Sequence, residues 1–261
     1  MLRTEAVRLA YPGRILIEGL SVEFRPGEVW AILGRNGSGK STLLHALALL
    51  RQLDAGAITI DDRQAARHSR RALARLVGVL LQEESREFWG SLSDYVLLGR
   101  YPHAGSPFGW SVQDESIAAR EIEAMHLSEL GHRDYASLSG GERQRARAAA
   151  LLAQQPLVYL LDEPLQHLDL PHQVALLERL AGEARARGAV VVMALHDLLF
   201  AARYCTRFLL LFGDGRFRIG TAQEVLTEEL LGELYGFPLS KAEVGGERLF
   251  LPRLPGAEPH V

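Results

Sequence analysis

The sequence predicts an α/β fold with a mixed or parallel sheet at its core and a helical subdomain inserted into it. Short apolar runs alternate with helical stretches along the chain. Those runs are apolar at every position rather than at every second one, which is the pattern of strands covered on both faces. The residues of chemical interest stand directly after the runs, where ligands of such sheets bind.

Taken in order, Val29–Leu33 is a buried strand that runs into Gly34-Arg35-Asn36-Gly37-Ser38-Gly39-Lys40-Ser41. A helix follows, from Thr42 to about Leu50. Residues 84–155 differ in character: they are rich in Ala, Arg, Glu and Leu, with helical periodicity in Asp114–Leu130 and again after Ser139. They read as a helical insertion. Leu157–Leu161 is a second apolar strand, ending at Asp162–Glu163, and Val190–Leu195 is a third, ending at His196. In FLLLFGDGRFRIG, Gly213-Asp214-Gly215 turns between two strands. A short helix at about Ala222–Tyr235 follows, and the Pro- and Gly-rich stretch Pro252–Val261 is expected to fray.

Composition bounds the function. The 261 residues are 48% hydrophobic and 23% charged, an ordinary globular balance large enough for a real core. A net charge of −3 argues against a broad basic surface for nucleic acid. The single cysteine, Cys205, excludes an intramolecular disulfide framework and fits a reducing compartment. The N-terminus has no apolar run of signal-peptide length. Ala189–Leu195 and Phe208–Phe212, the longest unbroken apolar stretches, are too short to cross a bilayer. A cytosolic chain is expected, whose membrane role would need a separate partner. No repeat or low-complexity segment is visible.

Gly34–Ser41 matches G-x-x-x-x-G-K-[ST] between a strand and a helix, the context that a P-loop requires. Its glycines let backbone N–H groups turn inward as an anion cradle, and the helix start adds partial positive charge. Lys40 would reach the β- and γ-phosphates of a nucleotide, and Ser41 would offer an oxygen to Mg²⁺. Asp162 ends an apolar strand and can reach the same Mg²⁺, directly or through water. Glu163 is the candidate to orient or deprotonate an attacking water. An Asp-Glu pair at a strand end is often a helix cap, but a P-loop needs a metal-binding acid at a neighbouring strand end.

Leu138-Ser139-Gly140-Gly141-Glu142, followed by Arg143-Gln144-Arg145, resembles the signature of ATP-binding-cassette (ABC) ATPases. The resemblance covers residues 1–235, leaving 236–261 as a short C-terminal extension, and implies a P-loop NTPase fold using ATP and Mg²⁺. It implies that Gly34, Asn36, Gly37, Ser38, Gly39, Lys40, Ser41 and Thr42 bind ATP and that Tyr11 stacks on adenine; the alternative for Tyr11 is a hairpin-core side chain. Gln82, after the strand-like Val77–Leu81, resembles the glutamine that touches Mg²⁺ and senses the transmembrane partner. His196 resembles the switch histidine that contacts the γ-phosphate. Ser139, Gly140 and Gly141 resemble the element that grips ATP bound to the opposite subunit, and Leu168-Asp169 the end of the loop that crosses the dimer interface. Two copies would then sandwich two ATP molecules, and closing would depend on the γ-phosphate. One departure stands out: Leu165-Gln166 occupies positions where many relatives carry Thr or Ser. It is expected to alter contacts across the dimer and to leave the acid and metal residues unaffected.

One P-loop, one signature and no fused membrane span resemble the stand-alone ATPase of an importer. Gly99-Arg100-Tyr101-Pro102-His103 is similar to a G-R-x-P-H segment of ATPases serving iron-siderophore, haem and vitamin B12 importers. His167-Leu168-Asp169 with His172-Gln173 is similar to that group's H-L-D-x-x-H-Q. On the residues alone, Gly99–His103 also reads as a helix end and proline turn. The resemblance implies integral-membrane permease subunits as direct partners and a periplasmic or extracellular substrate-binding protein as an indirect one. The chain would then sit peripherally on the cytoplasmic face of the plasma membrane. A soluble ABC ATPase of cofactor or iron–sulfur assembly is the alternative. A nucleotide-binding module without turnover is disfavoured, because Glu163 is present. Phe88–Trp89, amid polar neighbours, marks either a docking site for the permease or a pair buried within the insertion.

Overall fold

The computed structural model describes residues 1–82, 88–105 and 109–253. The expected start of the helical insertion at Glu84 and most of the expected frayed end lie outside the described residues. The chain opens with two long antiparallel strands, β1 (Leu2–Tyr11) and β2 (Arg14–Phe24), joined at Pro12-Gly13. β3 (Val29–Leu33) leads into helix α1 (Lys40–Leu47). β4 (Ala55–Ile60) and β5 (Arg63–Gln64) complete a four-stranded antiparallel sheet in the order β2-β1-β4-β5.

After α2 (Arg70–Leu76) and β6 (Val77–Leu80) come three helices: α3 (Leu92–Leu98), α4 (Val112–Ala124) and α5 (Gly140–Gln154). The chain then returns to the sheet through β7 (Val158–Asp162), α6 (Leu170–Arg187), β8 (Val190–Ala194), α7 (Leu198–Tyr204), β9 (Arg207–Leu211) and β10 (Phe217–Gly220). The second sheet has the order β10-β9-β3-β8-β7-β6, parallel except for the final β9–β10 hairpin. It is a mixed sheet, as the apolar runs predict.

These runs are buried on both faces because alternate side chains feed different cores. Val29, Ala31 and Leu33 join the core shared with α3–α6, whereas Trp30 and Ile32 join the core beneath the antiparallel sheet and α1. The same alternation divides Tyr159 and Leu161 from Val158 and Leu160. Each Val, Leu or Ile among them contributes about 1.5–3 kcal/mol of burial. Three strand ends are thereby fixed side by side, carrying the P-loop, Asp162–Glu163 and His196. Cys205 is buried and free, and burial pushes its thiol pKa up.

Several elements differ from the sequence expectation. α1 ends before Leu50 because Leu49 takes a left-handed conformation (φ 59°). The single helix expected over Ala222–Tyr235 is two, α8 (Ala222–Val225) and α9 (Glu228–Tyr235), each opened by its own threonine, Thr221 and Thr227. Pro252 is not frayed: β11 (Leu239–Val244) and β12 (Glu247–Pro252) pair as an antiparallel hairpin around Gly245-Gly246. Among the described residues, no helix is long and apolar enough to cross a membrane.

Candidate nucleotide-binding and hydrolysis site

The P-loop is assembled by the β3–α1 turn. Helices α2 to α7 each begin on a Ser or Asp whose side chain caps the first turn. α1 instead begins on Gly39, at φ 107°, with no side-chain cap. Only glycine takes this backbone readily, and it leaves the first-turn amides of Lys40, Ser41 and Thr42 available to an anion. Lys40 is buried, and its Nζ donates to the carbonyls of Gly34 at 2.9 Å and Arg35 at 3.3 Å. Burial lowers its pKa, opposed by the nearby carboxylates of Glu163 and Asp162. An ammonium so placed is held by backbone dipoles.

Opposite lies the acid edge. Asp162 is 2% exposed at the end of β7, and among the described residues its Oδ1 has no partner, nor has the buried Oγ of Ser38. Buried polar atoms without partners are costly, so both are ready for a ligand. Glu163 follows in a left-handed conformation (φ 50°), with its N–H donating to Ala194 across the β7–β8 pair. Its Oε1 lies 2.5 Å from His196 Nε2, and its Oε2 accepts from Gln82 Nε2 at 3.3 Å. Gln166 donates its side-chain amide to the same Oε2. The expectation that Leu165-Gln166 leaves the acid untouched is therefore corrected: the turn after Pro164 brings the longer Gln166 side chain back onto Glu163.

Lys40, Gln82, Glu163, Gln166 and His196 line a cleft of about 940 Å³ together with Tyr11, Asn36, Gly37, Gly39, Ser41 and Thr42, while Gly34, Ser38 and Asp162 lie outside its lining. Tyr11 is 52% exposed, which removes the hairpin-core alternative, and Arg51 places its guanidinium 4.3 Å from the ring centre. Arg14 also lines the cleft, anchored by Nε to the Gly213 carbonyl at 3.2 Å. Sequence reasoning missed Arg14 and Gln166 as cleft residues; neither belongs to a contiguous motif. A buried ammonium, a free helix start and the Glu163 carboxylate in one open cleft suit a polyphosphate.

Ser139, Gly140, Gly141 and Asp169 do not line this cleft. Ser139 caps α5 in a box with Glu142, whose pKa is lowered by the Ser139 hydrogen bonds. Ser139 and Gly140 are exposed. Asp169 is exposed, caps α6 through the His172 N–H, and has its pKa lowered first by the His172 side chain. Among the described residues, no group of three or more His, Cys, Asp and Glu is placed to hold a metal ion.

Comparison with known proteins agrees with this geometry. A family model described as ABC transporter matches residues 17–166. The chain is 41% identical over 241 residues to the hemin import ATP-binding protein HmuV of Pseudomonas aeruginosa, covering 90% of this chain and 92% of that protein. It is 35% identical over 235 residues to the ferric enterobactin transport ATP-binding protein FepC of Escherichia coli K12, covering 90% of this chain and 87% of that one. A solved inward-facing ABC transporter, assigned to the metal-chelate type, superposes with a TM-score of 0.81 at 28% identity, covering 97% of both chains. By motif, by cleft and by kinship over nine-tenths of its length, the chain belongs to the ABC transporter family as one of its ATP-binding, ATP-hydrolysing subunits.

Proposed function

We propose that the chain powers an importer of a metal chelate, haem or a ferric siderophore, by hydrolysing ATP beneath a separate membrane permease. The observation that carries the reading is the division of the nucleotide machinery. The P-loop cleft and the Ser139–Gly141 element occupy different surfaces of one chain, so a second copy is needed to complete each site. In this reading Lys40 and the α1 amides hold the phosphates, Tyr11 stacks on adenine, and the partner copy's signature closes over the γ-phosphate. Asp169 meets the partner across the interface.

Mg²⁺ fits the residues present. The Ser41 hydroxyl, the Gln82 amide and the unpartnered Asp162 Oδ1 form a sparse oxygen donor set, which suits a cation that keeps several waters and takes phosphate ligands. When bound, it would neutralise charge on the β- and γ-phosphates. Glu163 would accept the proton of the attacking water, and His196, now on Glu163, would turn to the γ-phosphate.

The relatives named for hemin and ferric enterobactin support the cargo class, and none of those compared above is named for vitamin B12. The chain itself would lie peripherally on the cytoplasmic face of the membrane, with a substrate-binding protein contacting only the permease. A mild-detergent pull-down from native membranes tests this. Recovery of a polytopic permease is expected, and recovery of soluble partners alone would favour the cofactor-assembly alternative.

The structure divides Phe88–Trp89. Phe88 packs edge-on against Tyr95 and Tyr135, at centroid distances of 5.3 and 5.7 Å. Trp89 is 96% exposed. Buried aromatic anchors of this kind carry about 2 kcal/mol or more of binding energy when covered by a partner. Trp89→Ala should therefore lower reconstituted transport severalfold while basal ATPase of the isolated chain is unchanged. Phe88→Ala should instead lower the melting temperature. Unchanged transport in Trp89→Ala would remove Trp89 from the permease contact.

A further inference from the structure

We propose that Gln166 is a positioning residue for Glu163, holding the carboxylate in place while its other partners are drawn onto the nucleotide. The inference deepens the reading above and rests on Glu163 as the base. Glu163 sits at φ 50°, a conformation that a non-glycine residue keeps only when its surroundings impose it. The Gln166 N–H donates to the Glu163 carbonyl at 3.2 Å, closing a one-turn loop. That loop returns the Gln166 side chain over the residue that starts it, and the Gln166 amide donates to Glu163 Oε2.

Three side chains thus share one carboxylate: His196 at Oε1, and Gln82 and Gln166 at Oε2. A carboxylate offers about four acceptor positions, so little room remains for water in this arrangement. His196 and Gln82 each have another task in the proposed cycle, at the γ-phosphate and at Mg²⁺. Gln166 has none. It is tethered to Glu163 by both main chain and side chain, and it lines the cleft without belonging to the phosphate cradle. When nucleotide binds, Gln166 stays on Oε2 and leaves Oε1 facing the water. A glutamate with three rotatable bonds is otherwise free to turn away from the reacting atoms. The amide N–H is the working group; neither charge nor bulk is required.

The test compares steady-state hydrolysis by the full chain carrying Gln166→Ser, Gln166→Met and Glu163→Gln, alone and with Glu163→Gln combined with Gln166→Ser. Gln166→Ser is too short to reach the carboxylate, and Gln166→Met keeps the length without the donor. Both should lower kcat about tenfold, a part of the ~10²–10⁴ that general-base catalysis supplies, with KM for ATP unchanged. The combined variant should be no slower than Glu163→Gln, because the group being positioned has already been removed. Wild-type kcat in Gln166→Met, or a further additive loss in the combined variant, would overturn the proposal in favour of a loop-packing role. Wild-type hydrolysis in Glu163→Gln would overturn the base assignment itself, and this inference with it.

Discussion

Glu163→Gln should lower ATP hydrolysis by ~10²–10⁴-fold while leaving nucleotide affinity near that of the wild type. The amide keeps the length of the side chain but cannot take a proton from water. Lys40, Ser41, Thr42 and the α1 start are untouched, so the phosphates bind as before. The second expected result concerns assembly. The exposed Ser139 and Gly140 lie outside the P-loop cleft, so in the proposed reading γ-phosphate would favour the closed dimer only while it remains bound. Blocking hydrolysis should therefore accumulate an ATP-dependent dimer, visible by gel filtration, that is absent with ADP. Phosphate release measured under saturating ATP checks the first effect. A wild-type rate would move the role of base to another residue, and a monomer in ATP would remove the sandwich.

What the sequence made legible was whatever is local. The P-loop needs only a turn between a strand and a helix, and Gly34–Ser41 states that turn directly. Asp162 and Glu163 are legible because an apolar run must end where its strand leaves the sheet. Tyr11 was legible as a candidate, but only its 52% exposure in the lining of the cleft removed core packing as the alternative. The contact between Gln166 and Glu163 depends on how one loop folds back, and no periodicity reports that. Arg14 enters the cleft because β2 runs beside Gly213, a contact spanning most of the chain. The β11–β12 hairpin does carry a signal, Gly245-Gly246 between strand-like residues, just before the stretch expected to fray.

The Gly99–His103 segment shows the same limit, because its importance lies in distant partners. Gly99 ends α3 where a Cβ would sit 2.1 Å from the Ala150 carbonyl, so no other residue fits without moving α5. Arg100 and Asp114 then form a buried ion pair, Nε to Oδ1 at 2.9 Å, with side chains 7% and 8% exposed. Arg100 also donates to the Ala153 carbonyl at 2.8 Å and to Gln155 Oε1 at 3.2 Å, tying the end of α3 to the end of α5. Asp114 closes the Ser111 capping box of α4, and its pKa is lowered by Ser111 first and Arg100 after. One guanidinium thus joins three helices.

Arg100→Leu should cost about 3–5 kcal/mol, because it leaves a buried carboxylate and a helix-end carbonyl without their donor. In a chain of this size that lowers the melting temperature by about 6–20 °C. Adding Asp114→Asn should recover part of the loss, since the buried charge goes while the amide still accepts from Ser111. The sign of the pH effect follows from the lowered Asp114 pKa. Its contribution is present above the ordinary carboxylate range and is lost as pH falls through the depressed folded value. The stability gap between wild type and Arg100→Leu should therefore narrow on acidification. A loss below about 1 kcal/mol would mean that the pair behaves as an exposed one. Hydrolysis per folded molecule should change little in either variant, because none of these groups lines the nucleotide cleft. That separation of stability from turnover distinguishes a structural role for Gly99–His103 from a catalytic one.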